Sequence, residues 1–295
     1  MAKLGFIGTG GMGTAMAANL IKAGHELVVN DLRPEVTRPL EEKGATVKKS
    51  AREVAESSQI VLSMLPYGQA VKDVGLGKGG LQEAAGGARL WIDFSSVDKK
   101  TIVSVSEALA GHGWSILDAS VSGVEEQAAA AALSIWVSGA KPLYEDQVPV
   151  FRAMGKKIVY MGELGNAKLV KTANAMLSAI THMAMAEIFH WLKKGGLTEQ
   201  DFENFIRSSG NYSEALERMT QIMISRKFKP RKSWMPKDVG FGLDEAREME
   251  VPVPFSSLAY QMFSIAQASG VDGYEATGIA FEVFSLINGQ PKTAR

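Results

Sequence analysis

Apolar positions in the first half of the chain follow two alternating rhythms. Leu4-Gly5-Phe6-Ile7, Leu27-Val28-Val29, Ile60-Val61-Leu62-Ser63-Met64, Leu90-Trp91-Ile92 and Ser115-Ile116-Leu117 are short runs of strand length, rich in β-branched or aromatic residues. Between them Met12 to Ala23, Arg52 to Ser57 and Lys99 to Ala110 carry apolar residues at helical spacing. Strands alternating with helices predict parallel strands joined by right-handed crossovers, hence a doubly wound sheet. Leu133-Ser134-Ile135-Trp136-Val137 and Lys157-Ile158-Val159-Tyr160 predict further strands closing the same domain, and the Ala128 to Ala132 run is helix-prone.

Beyond Gly162 helical spacing dominates, from Lys168 to Lys193 and again from Glu199, Tyr212, Asp238, Phe255 and Tyr274 onward. Gly195-Gly196, Pro230 and Val251-Pro252-Val253-Pro254 divide helices rather than strands. The expected fold is α/β plus all-α, with residues 1–162 forming the sheet domain and 163–295 a helical domain. A chain of 295 residues suits two cores, since single domains run to roughly 100–200 residues.

Composition narrows the function. Thirty-two basic residues balance 32 acidic ones, so no net field draws the chain onto nucleic acid or an anionic membrane. The basic stretch from Arg226 to Lys232 holds one aromatic and reads as a solvated loop or the rim of an anion site. The absence of cysteine removes disulfides and thiolate chemistry and agrees with a reducing cytoplasm. No apolar run reaches membrane-spanning length, and no cleavable leader opens the chain, so a soluble cytoplasmic protein is expected. His25, His112, His182 and His190 lack metal-site spacing, and Trp91, Trp114 and Trp136 read as sheet core.

Gly8-Thr9-Gly10-Gly11-Met12-Gly13 fits G-x-G-x-x-G between a strand and a helix that Gly24 can end. In a Rossmann-type sheet such a turn lets backbone approach a pyrophosphate, with Gly13 packing helix on strand and the helix N-terminus facing the phosphates. Eighteen residues past Gly13, Asp31 ends the second strand, where a carboxylate accepts hydrogen bonds from the adenosine ribose and favours NAD. Arg33 is the opposing signal, a guanidinium able to meet the 2′-phosphate of NADP.

The opening through Met16-Ala17-Ala18-Asn19-Leu20 to His25, together with three later segments, resembles the β-hydroxyacid dehydrogenase family, the group of the 3-hydroxyisobutyrate dehydrogenases and tartronate semialdehyde reductases. Asp118-Ala119-Ser120-Val121-Ser122-Gly123 is similar to the family's substrate segment, with Ser120 for its proline and Val124 for its second glycine; the resemblance implies that Ser122 and Gly123 hold a substrate carboxylate. Gly162 to Asn174 resembles the catalytic segment, which implies Lys171 as general acid/base and Asn174 as its orienting partner, with Ala167 where glycine is usual. The i, i+3 spacing sets those two on one helix face, and the apolar residues flanking Lys171 suggest a helix buried nearly all round. Lys168, Lys193 and Lys194 are expected in solvent.

Lys237-Asp238-Val239-Gly240 resembles a family segment that brings Lys237 toward the nicotinamide and substrate, where its charge would depress the pKa of Lys171. The resemblance further implies cofactor contacts from Leu65, Pro66 and Ser96, in addition to Gly8, Gly10, Gly11, Met12, Gly13 and Asp31. The implied function is hydride exchange between NAD, or NADP, and a small anionic 3-hydroxyacid of the 3-hydroxyisobutyrate kind, in a homodimer or homotetramer. Two alternatives stay open, an imine reductase and a non-catalytic dinucleotide-binding interaction protein. Lys171 argues against both.

Overall fold

The computed structural model describes residues 1–230 and 233–290. Two compact units divide the chain, Met1–Lys171 and Thr172–Arg295.

The first unit is built on eight strands, β1 (Lys3–Ile7), β2 (Glu26–Asn30), β3 (Thr46–Val47), β4 (Ile60–Ser63), β5 (Leu90–Asp93), β6 (Ser115–Ser122), β7 (Leu133–Ser138) and β8 (Gly155–Tyr160). Their order in the sheet is β3-β2-β1-β4-β5-β6-β7-β8. Every neighbouring pair is parallel except β6 with β7. Because the chain winds outward in both directions from β1, the switch point lies between β1 and β4, and a crevice opens there at the C-terminal strand ends.

Side chains alternate across this sheet as the period of two requires. Leu27, Val29, Leu62, Ile92 and Leu117 join one core layer, whereas Val28, Val61, Trp91 and Ile116 join the other. Helices cover both layers: α1 (Gly11–Lys22), α2 (Arg38–Glu41), α3 (Ala51–Glu56), α4 (Gly68–Leu76), α5 (Lys99–Ala110), α6 (Glu125–Ala129) and α7 (Lys141–Arg152). Burial on both faces explains why these strands read as nearly continuous apolar runs. Gly24, at φ +89°, closes α1, with its own N–H on Ile21 and that of His25 on Leu20. The alanine run forms less helix than its propensity suggests, since α6 ends at Ala129 and Ala131 turns left-handed at φ +51° to lead into β7.

Helix α8 (Asn166–Lys194) carries the chain into the second unit, followed by α9 (Glu199–Ser208), α10 (Glu214–Ser225), α11 (Met235–Glu248), α12 (Pro254–Ala268) and α13 (Ala276–Ile287). An aromatic cluster centres its core, with Phe189 at 5.0 Å from Phe202 and 5.4 Å from Phe281 between ring centroids. Pro230 forms an isolated antiparallel bridge with Tyr274. The basic stretch is described as far as Pro230; Arg231 and Lys232 lie outside the described residues. No helix among the described residues is long and apolar enough to cross a membrane.

Helix α8 departs from expectation. It is not buried nearly all round, because Leu177 and Trp191 are 66% and 69% exposed and Ile188 also faces outward. The flanking apolar residues of Lys171 belong to two faces, one of which packs in the core while the other does not.

Candidate active site

Three glycine positions define the turn after β1. Gly8 sits at φ +89°, and a Cβ there would lie 2.4 Å from the Met64 carbonyl oxygen. A Cβ on Gly13 would come within 2.0 Å of the Gly8 carbonyl oxygen, so only glycine lets the first turn of α1 fold back on the strand. Gly10 precedes α1, and no side chain caps that helix. Its first N–H groups are therefore suited to an anionic partner. These features fit the pyrophosphate of a dinucleotide. Met12, half-buried beside Gly11, packs against the sheet core.

Asp31 follows the end of β2 and reaches back to this turn. Its Oδ2 accepts the Thr9 N–H at 2.9 Å, while Oδ1 accepts the Arg33 N–H at 3.0 Å and the guanidinium Nε at 3.4 Å. One carboxylate thus braces the glycine turn and holds Arg33 over it. The guanidinium remains largely solvated.

Leu65, Pro66 and Ser96 follow the ends of β4 and β5, in line with the glycine turn along the sheet. Ser95 organises them, its hydroxyl accepting the Leu65 N–H at 2.9 Å and donating to Asp93 Oδ1 at 2.6 Å. Ser63 also donates to Asp93 Oδ1, at 2.7 Å, and receives the Trp91 indole N–H at 2.8 Å.

Lys168 completes this network and overturns its expected place in solvent. It is fully buried, with Nζ at 2.9 Å from each of three oxygens: Asp93 Oδ2, the Asp93 carbonyl and the Ser95 carbonyl. A buried ammonium is tolerated because all three of its donors are used and a carboxylate neutralises it. Asp118, equally buried, caps the start of α8 by accepting the N–H groups of Gly165 and Lys168, and it also receives the Ser138 hydroxyl. Negative charge at a helix N-terminus is favourable. The sequence held a signal for both acids: Asp93 and Asp118 each end an apolar strand run, and such a charge requires a buried partner.

Ser122 and Gly123 end β6 on the antiparallel side of the sheet. Gly123 has φ +146°, and a Cβ there would lie 2.6 Å from Leu133 Cδ2, so the turn depends on glycine. Helix α6, which follows this segment, packs on α1, where Asn19 donates to the Ala128 carbonyl at 2.6 Å. Glu125, unnoticed in the sequence, points at Gly11, where a Cβ would fall 2.0 Å from its Oε1. Ser120 is buried with no hydrogen-bond partner for its hydroxyl among the described residues.

Lys171 and Asn174 stand three residues apart in α8, both half-buried. Lys237 belongs to the first turn of α11 in the helical unit, with its ammonium 3.4 Å from Asp238, 5.3 Å from the Trp234 ring centroid and 5.6 Å from that of Phe241. His182 and His190 are helix histidines bonded to Ser178 and Ala186 carbonyls, and burial lowers the pKa of each. Trp91 and Trp114 are core residues, whereas Trp136 is half-buried. Among the described residues no group of three His, Asp or Glu side chains is placed to hold a metal ion.

Residues 3–162 match the family described as the NAD binding domain of 6-phosphogluconate dehydrogenase. Residues 165–280 match the one described as the NAD-binding of NADP-dependent 3-hydroxyisobutyrate dehydrogenase. With the glycine turn and the strand-end crevice, this defines a nicotinamide-dinucleotide-binding oxidoreductase acting on CH–OH.

The chain is 36% identical to the 3-hydroxyisobutyrate dehydrogenase of Pseudomonas aeruginosa, over 91% of this chain and 93% of that one. It is 32% identical to the 2-hydroxy-3-oxopropionate reductase of Escherichia coli, over 91% and 92%. Its fold matches the structure of Mycobacterium tuberculosis 3-hydroxyisobutyrate dehydrogenase with L-serine, at a TM-score of 0.87 and 29% identity, over 95% and 98% of the two chains. The chain belongs to the β-hydroxyacid dehydrogenase family.

Proposed function

We propose that this protein interconverts a small anionic 3-hydroxyacid, of the 3-hydroxyisobutyrate kind, and its 3-oxoacid, with NAD as the preferred cofactor and Lys171 as general acid/base. The observation that carries the reading is the pairing of Lys171 with Asn174 on α8, one turn past a helix start anchored to the sheet by buried charges. Relatives named for such substrates, at 36% and 32% identity, support it.

Ser122 and the Gly123 backbone hold the substrate carboxylate, and Asn174 orients the hydroxyl. Neutral Lys171 takes the hydroxyl proton during oxidation and returns it during reduction. Bound NAD supplies the acceptor for the hydride that leaves the hydroxyl-bearing carbon. Asp31 supports the NAD preference as an acid suited to ribose hydroxyls, while Arg33, held by Asp31, keeps NADP as the weaker alternative.

Nicotinamide absorbance followed with NAD⁺ and NADP⁺ against a panel of 3-hydroxyacids tests the reading. Turnover is expected with NAD⁺, and Lys171→Ala should lower kcat by at least about 100-fold, general acid/base catalysis being worth roughly 10²–10⁴. The variant should still bind NADH. Full turnover by Lys171→Ala would refute the assignment.

The oligomer belongs to the same proposal. Leu177, Ile188 and Trp191 on α8, and Phe255, Leu258 and Ile265 on α12, leave apolar side chains exposed at helical spacing, which suits a contact between copies. Sedimentation should give at least twice the mass of one chain; a monomer at all concentrations would exclude it.

A further inference from the structure

We propose that Lys168 is a positioning residue for the reaction, its buried ammonium setting the Ser95–Ser96 peptide and the first turn of α8 in register so that Lys171 meets the substrate hydroxyl; the role assigned to Lys171 rests on the reading above. Lysine is almost never fully buried without a partner, and here no part of the side chain meets solvent. Packing alone does not explain it, because apolar residues of similar volume commonly replace a buried ion pair at no cost. What the ammonium adds is direction. Its three donors go to the Asp93 carboxylate and to the carbonyls of Asp93 and Ser95, while its own backbone N–H goes to Asp118.

Two consequences follow. In a planar trans peptide the C=O and the next N–H point in opposite directions, so holding the Ser95 carbonyl turns the Ser96 N–H away from the buried network. Asp93 and the Ser95 hydroxyl pass the same constraint to the Leu65 N–H. One cation therefore joins the strand-end segments at 63–65 and 93–96 to the helix start at 165–168. Lys171 follows three residues later, about 4.5 Å along the axis at roughly 1.5 Å per residue. Since a misplacement of about 1 Å can cost on the order of 100-fold in rate, loosening this junction should reach the chemistry.

The test pairs Lys168→Met with the double variant Lys168→Met/Asp93→Asn, which removes both charges of that pair, and with Ser95→Ala, which removes only the strand-end hydroxyl. Amide hydrogen exchange should accelerate about tenfold or more in residues 169–172 and 95–97 together, with the β1–α1 turn unchanged. The kcat of the double variant should fall roughly 10- to 100-fold, with NADH affinity within about threefold and the primary deuterium isotope effect on the oxidised C–H bond raised. Lys168→Arg, which retains the charge, should recover part of the loss. Altered stability alone would lower the active fraction without moving the isotope effect.

Unchanged exchange at 169–172 and 95–97 in the double variant overturns the proposal whether or not a substrate is in hand. Loosened exchange with unchanged kcat and isotope effect overturns it as well, reducing Lys168 to a structural residue. If the double variant does not fold, Ser95→Ala decides: exchange should accelerate at 95–97 and, through Asp93 and Lys168, at 169–172, and acceleration confined to 95–97 overturns the proposal. A wild-type protein inactive on every hydroxyacid would count against Lys171 as acid/base, and the exchange arm would still decide whether Lys168 couples the two segments.

Discussion

The first unit contains two helix N-termini that meet negative charge in opposite ways. At α1 glycines keep the turn narrow and no side-chain hydrogen bond caps the helix, although the Glu125 carboxylate stands beside Gly11. At α8 the N–H groups of Gly165 and Lys168 are closed off by the buried carboxylate of Asp118, which no ligand could displace cheaply. The first end is made for binding and the second for anchoring. The same dipole serves either purpose, and what separates them is whether a buried protein carboxylate hydrogen-bonds the helix N–H groups.

Gly13→Ala should break the open end most severely. Its Cβ would lie 2.0 Å from the Gly8 carbonyl oxygen, so turn and helix must part. Affinity for NADH, followed by fluorescence titration, should fall roughly 10- to 100-fold, since overpacking costs roughly 1–3 kcal/mol and would displace N–H groups suited to a phosphate. A variant binding normally would mean that this turn is not the phosphate site.

Asp118→Ala should spare the open end and damage the closed one. It strips two helix N–H groups and the Ser138 hydroxyl of their buried acceptor, for an expected loss of about 2–4 kcal/mol in chemical unfolding. NADH affinity of the folded fraction should stay within about threefold of wild type. Loss of binding with stability intact would erase the distinction between the two ends.

Ala131→Gly gives the smallest effect and isolates the backbone contribution. At φ +51° Ala131 pays for a left-handed conformation that glycine adopts freely, offset in part by glycine's greater unfolded-state entropy. A gain of roughly 0.5–1 kcal/mol is expected in the same unfolding experiment. A loss would show that the Ala131 methyl contributes more by contact than it costs in strain.

The contrast also accounts for what the sequence could disclose. The open end is local: strand, glycines, helix and acid fall between Lys3 and Asp31, and each leaves a mark on composition or spacing. The closed end is not. Lys168 meets partners 73 and 75 residues away, which no local spacing reports. Helical periodicity at 168–193 gave the length of α8 well, yet it misjudged the exposed face at Leu177 and Trp191, because flanking apolar residues do not report which of them find neighbours. Strand runs were legible where both faces are buried, whereas the two-residue β3, with both side chains exposed, left no hydrophobic signature.

The grip of Asp93 and Asp118 on the start of α8 also bears on the order in which the chain assembles. Asp93 ends β5 and Asp118 lies midway along β6, and neither acid can be desolvated at low cost before its partner arrives, nor can Lys168. As synthesis proceeds from the N-terminus, all eight strands precede residue 168, so both carboxylates are made before the helix start that meets them. The helix that continues into the second unit thus supplies the cation that pairs Asp93, so a nascent chain cut short of this lysine carries a sheet with an unpaired interior carboxylate.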